Sequence, residues 1–203
     1  MRRAASPPQA PELPGEVELE LEDTDLAGHE AAGARLESLS LRNVDLSAAQ
    51  LDRLRVSDGE LHDCNLSNLR AANADVARLR VEGCRLTGIA LPESALRDVT
   101  IADCRVDLAS FGFARLTRVT FEGCLLAQAD FLEAELESVR FHGCDLRRAN
   151  LRGARLERCE FRRCDLSGIQ GAESLRGAAM EWPVIVEMAG VWAAALGIEV
   201  LDD

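Results

Sequence analysis

The sequence contains no lysine and no tyrosine, and only three histidines among 203 residues. Side chains that commonly move protons in active sites are therefore few. Also missing are a glycine-rich phosphate loop, a nucleophile elbow and the close cysteine pairs of a zinc site. Carboxylates do crowd together at Glu133, Glu135 and Glu137, but acid–base work needs a cleft that splits their pKa values. No catalytic, cofactor-binding or metal-ligating residue is nominated, and the expectation is a protein that is not an enzyme. Long apolar runs are absent too. The longest uncharged one, Met188 to Ile198, is too short to span a bilayer. Arg2 and Arg3 are not followed by the apolar stretch of a signal peptide. A cytoplasmic protein without a membrane partner is expected. All 23 basic residues are arginine, which points to a GC-rich bacterial genome.

What the sequence does have is a period. From Leu21 to Leu166 an apolar residue recurs every five positions, as in Leu36, Leu41, Leu46, Leu51 and Val56, or Phe121, Leu126, Phe131, Leu136 and Phe141. Only Ala31 and Ala71 are weak members. No helix has a period of five, and a flat strand has a period of two. A second period lies on the first: Cys64, Cys84, Cys104, Cys124, Cys144 and Cys164 are 20 residues apart, each two before an apolar centre. Four pentads therefore make one turn, and like positions stack turn upon turn, the signature of a solenoid. In each pentad the centre and the residue two before it should point inward, and the other three outward. Neighbouring coils pair as parallel strands, so the thirty pentads make a rod about 36 Å long at roughly 4.8 Å per coil.

The corners agree. Positions 23, 43, 63, 83, 103, 123, 143 and 163 read Asp, Asn, Asp, Gly, Asp, Gly, Gly and Arg. All but the last are residue types that tolerate turns and positive φ. The cysteines form a line along the rod instead of converging, so they read as buried small hydrophobes and not as metal ligands or disulfides. His62 and His142 share an outward column but lie four coils apart, roughly 19 Å.

Pentads such as ADFLE (129–133), CDLRR (144–148), ANLRG (149–153) and CDLSG (164–168) give this chain a resemblance to the pentapeptide-repeat family, whose pattern is A(D/N)Lxx. The resemblance covers about three quarters of the chain. It weakens in the first half, where Gly59, Ala71 and Ser94 stand at inward positions. It implies an all-β fold, a right-handed quadrilateral parallel β-helix.

Residues 1–15 hold four of the six prolines and read as a flexible lead-in; 16–170 read as the β-helix; 171–203 leave the five-residue period. Residues 16–30 carry seven acids and no arginine, an acidic first coil whose charges discourage edge-to-edge aggregation. Residues 139–170 reverse the balance, with eight arginines, from Arg140 to Arg163, and four acids. That basic band could bind phosphate, but a solvated face paired with the acidic tail is the plainer reading. No aromatic is interleaved on its outward positions, as a single-strand platform requires, so direct nucleic-acid binding is not expected.

In the tail, Pro183 suits the first turn of a helix. Val184, Ile185, Met188, Val191, Trp192, Ala195 and Leu196 then cover more than one helical face. Gly197 can stop the helix, and Ile198, Val200 and Leu201 read as a closing strand. A cap over the open core is one reading. A cap that is also a homodimer interface, through Val184, Met188, Val191, Trp192 and Leu196, accounts better for so much apolar surface. The tail, including Ala194 to Ile198, resembles that of the loop-free, mycobacterial fluoroquinolone-resistance branch of the family, and so does the overall acidity. That branch implies an end-to-end homodimer that imitates duplex DNA and binds DNA gyrase, modulating it or protecting it from quinolones or toxins. The outward carboxylates available for such mimicry are Asp45, Asp75, Asp130, Glu133, Glu135 and Glu137. The alternative is a structural or interaction scaffold with an unrelated partner.

Overall fold

A pentad with two inward apolar residues cannot run straight, because its next apolar pair must also reach the axis. In the computed structural model, which describes residues 17–200, the chain turns a corner after each pentad instead. The corner residue, two after each centre, takes a left-handed conformation, with φ between 48° and 74°, at every pentad from Asp23 to Gly168 except at Ser38 and Asp58. The column of turn-tolerant residues read from the sequence is thus one of four. Here even Leu108 and Phe113 adopt positive φ, because the stacked coils on either side determine the backbone.

The four sides form columns. Face one has centres at 21, 41 and on to 161; faces two, three and four have centres 5, 10 and 15 residues later. Faces one and four are parallel ladders in strict 20-residue register, such as Phe121 beside Phe141 and Leu136 beside Leu156. They join through one long strand, Arg35–Arg42, and Val17–Glu22 adds to its edge. Faces two and three are held by single parallel bridges, from Asp25–Asp45 through Asp145–Asp165 and from Glu30–Gln50 through Asn150–Gln170. Together these make a parallel β-solenoid of about 8 turns. The proline-rich lead-in lies outside the described residues.

Inside, the columns close on themselves. Phe121, Phe141 and Phe161 stack with ring centroids 5.1 and 4.9 Å apart. Phe111 and Phe131 stack at 5.1 Å on face three and meet the first column edge-on. All seven cysteines are free and buried. Each thiol of the column from Cys84 to Cys164 lies against the carbonyl two residues back, as Cys104 Sγ does at 3.0 Å from Ala102 O. Contact with the neighbouring thiol, then burial, holds Cys84 protonated, with its pKa pushed up to about 12. Ser94 repeats this pattern: its Oγ donates to Ala71 O at 3.1 Å and accepts from Ala74 N at 2.9 Å. A hydroxyl is tolerated inside because both its capacities are used.

At the C-terminal end the period stops at a short 3-10 turn, Ala172–Leu175, and Ala179–Met180 pairs with Glu160–Phe161. Two short helices follow, α1 (Trp182–Glu187) and α2 (Ala189–Ala195), in place of one. The chain bends at Met188, which drops into the core with Val184 and Leu175. The closing strand expected from Ile198 does not form over residues 198–200: Ile198 and Val200 are exposed, and the strand edge nearest the tail is already taken by Ala179–Met180. Leu201 lies outside the described residues. No helix among the described residues is long and apolar enough to cross a membrane.

Candidate functional site

A rod without inserted loops offers its outward side chains, and their pairing decides which can bind anything. Among the described residues no group of three or more His, Cys, Asp or Glu could hold a metal. His62 and His142 each lie beside glutamates, His142 Nε2 being 3.7 Å from Glu160, a carboxylate that Arg162 already holds.

The six carboxylates nominated from the sequence fall on three faces, so they form no single stripe. On face four, Asp75 pairs with Arg97 at 2.6 Å, Glu135 with Arg115 at 2.7 Å, and Glu137 with Arg158. The same face carries Asp58–Arg78, with both contacts 2.7 Å, and Asp98–Arg118, at 2.5 and 2.7 Å. It is an ion-pair ladder, each rung joining neighbouring coils. The hydrogen bonds of Arg78, Arg118 and Arg115 hold Asp58, Asp98 and Glu135 below the usual carboxylate range. Asp45, on face two, accepts from Ser47 N at 2.7 Å and from Asn65 at 3.2 Å, and Ser47 lowers its pKa. Asp130, on face three, accepts from Leu132 N and Asn150 at 3.1 and 2.8 Å. Glu133 is exposed at the following corner.

Besides Asp45, Asp130 and Glu133, further carboxylates stand free of arginine. Along the edge between faces one and two run Glu22, Asp23, Asp63, Asp103 and Glu122, and none has an ion-pair partner among the described residues. The aspartates sit at alternate coils, with Asn43, Gly83 and Gly123 at the same corner of the next coil. A Cβ on Gly83 would meet Asp63 Oδ1 at 2.6 Å, and one on Gly123 would meet Asp103 Oδ1 at 2.6 Å. Sequence reasoning took this column as turn residues only; the acid–glycine alternation was the available signal for a charged edge.

The arginines from Arg140 to Arg163 do not make a band on one side. They ring the last coils on all four faces. Arg147, Arg158 and Arg162 pair with acids of the coils themselves, not with the tail. The tail's contact is Glu181 accepting from the backbone of Arg163 at 3.0 Å.

Of the residues nominated for a dimer interface, Val184 and Met188 are 4% and 2% exposed and plug the chain's own core, so they are not available to a second copy. Val191 and Trp192 pack partly against that core. Leu196 is exposed, and Trp182, Ile185, Val186, Ile198 and Val200 join it. The helices face the core with Val184 and Met188 because the tail must first close the solenoid.

Residues 102–170 match the model of a pentapeptide repeat region, and the same pentads and coil geometry continue upstream of them. Residues 102–170 are thus a pentapeptide repeat region. No curated protein matches the sequence. Among solved structures, a trypsin-treated variant of QnrB1, a plasmid-mediated fluoroquinolone resistance protein, superposes with TM-score 0.59 at 17% identity, covering 92% of this chain and 99% of that one. HetL, from the cyanobacterium Nostoc sp. strain PCC 7120 and involved in heterocyst differentiation regulation, gives TM-score 0.40 at 22% identity over 82% of this chain and 88% of its own. At 17% identity the likeness to QnrB1 is one of fold.

Proposed function

We propose that this pentapeptide-repeat protein is a non-enzymatic protein-binding rod that imitates duplex DNA and binds DNA gyrase. One observation carries the reading: an edge of carboxylates without ion-pair partners, Glu22, Asp23, Asp63, Asp103 and Glu122, in contrast to the arginine-neutralised face four. Carboxylates free of an ion-pair partner in their own chain can take the arginines and lysines that normally hold phosphates, through charge-assisted hydrogen bonds. A second copy joins through Trp182, Leu196 and their apolar neighbours at the C-terminal end. The pair would be about 70 Å long on the coil spacing, comparable to about 20 base pairs at 3.4 Å each. QnrB1, a fluoroquinolone resistance protein, has the same fold, which is consistent with this reading.

A second reading also has an observation behind it. A duplex offers phosphates along two strands, whereas this rod has one acidic edge, a closed ion-pair ladder and a collar of arginines. That asymmetry suits a scaffold for an unrelated basic protein. A gyrase supercoiling assay with micromolar protein at low salt separates them. The mimic slows supercoiling, and Asp63→Asn, Asp103→Asn and Glu122→Gln together relieve that effect while the fold is kept. Supercoiling that is untouched at low salt leaves the scaffold reading.

A further inference from the structure

Two residues break the rules of their own positions in the same coil. Leu108 and Phe113 stand at consecutive corners, on either side of face three, where other coils carry Gly, Ala, Asn, Gln, Glu or Arg. Both have φ of 59°, a region bulky side chains rarely adopt. Both are exposed, at 55% and 54%. Features that violate local preference without a packing gain tend to mark function. Between them the face is shallow: Gly112 has no side chain, Ala90, Pro92 and Leu132 surround it on the coils above and below, and the carboxylate beside it, Asp130, is already held by Leu132 N and Asn150.

We infer that face three is a self-association surface, on which a second copy of this chain lies alongside in parallel. The charge pattern fixes both occupant and direction. The corner column that holds Phe113 has Glu93 and Glu133 on its two sides; the column that holds Leu108 continues into Gln128 and Arg148. A two-fold axis parallel to the rod exchanges the columns. It sets Phe113 of each copy against Leu108 of the other, and Glu133 against Gln128 and Arg148. An antiparallel arrangement would instead bring Glu93 against Glu133, like charge on like. Neither glutamate, nor Arg148, has an ion-pair partner in its own chain among the described residues. One face about 36 Å by roughly 15 Å is smaller than the ~800 Å² per partner of a standard interface, so the association is weak and builds with concentration.

The inference is independent of gyrase binding and of the end-to-end contact. It is tested on the full chain carrying Trp182→Glu and Leu196→Glu, which remove the latter. Sedimentation up to about 1 mM protein should show monomer passing to dimer. X-ray scattering should show a thicker particle of unchanged length. Phe113→Arg should weaken association at least about tenfold; Arg53 occupies the same corner column at positive φ, so the coil accepts arginine there. Glu133→Arg should weaken it also, and adding Arg148→Glu should restore it. A monomer throughout, a dimer of doubled length, or a double variant no better than Glu133→Arg alone would overturn the proposal.

Discussion

At the scale of single residues, stability rests on columns more than on pairs. Phe141 is fully buried and stacks on a ring above and a ring below. Its removal opens a cavity that strictly registered coils cannot close. Phe141→Ala is expected to cost about 3–5 kcal/mol, as large-to-small core changes do. Denaturant titration measures it, and a loss under about 1 kcal/mol would place the ring outside the working core. Cysteine on face two and Ser94 on face four fill the same inward position of the pentad because each offers one donor to a backbone carbonyl. This explains why Ser94 stands where Ala, Val or Cys is usual without leaving a polar atom unpaired.

At the scale of elements, face four and the tail do different work. The ladder on face four joins coils by exposed ion pairs, each a small contribution to stability. Asp98 titrates below its ordinary value because Arg118 binds its charged form. Its contribution is therefore complete above the unfolded carboxylate pKa, about 4, and is lost as pH falls through the lower folded value. The melting-temperature gap between the wild type and Asp98→Asn should hold steady from neutral pH down to about pH 5 and close by about pH 2; a gap constant throughout would mean that the pair does not form. The tail closes the core with Val184, Met188 and Leu175 and turns Trp182 and Leu196 outward. Trp182→Glu with Leu196→Glu should shift mass measured by light scattering from dimer to monomer while the β-circular dichroism is unchanged. A wild-type monomer at tens of micromolar would sink the end-to-end dimer.

At the scale of the whole molecule, a coil is a removable unit, since it touches only its neighbours. Deleting Arg105–Cys124 removes one turn and returns every later residue to its own column. Deleting ten residues, Arg105–Ala114, keeps all pentads but sets face four over face two, which interrupts the strand ladders of faces one and four at the junction while the coils beyond it shift as a block. The twenty-residue deletion should therefore melt several degrees above the ten-residue deletion, although it removes twice as much chain. Thermal scans of the two proteins decide the point, and the reverse order would mean that column identity contributes little.

The five- and twenty-residue periods by themselves determined the coil, its inward residues and the cysteine and phenylalanine columns, because a solenoid's contacts are fixed offsets along the chain. Gly59, Ala71 and Ser94 looked like weak points, and the register carried through them. The candidate site was less legible. Asp75, Glu135 and Glu137 read as free carboxylates, but whether a charge is free depends on the residue twenty away and on its reach, and there arginine neutralises all three. The same geometry left Asp63 and Asp103 unpaired beside glycines on the next coil. In the tail, hydropathy named the apolar residues, but only packing decided that Val184 and Met188 close the core while Trp182 and Leu196 face outward. Side chains off the repeat have no fixed offset to their partners, so their contacts are settled in three dimensions.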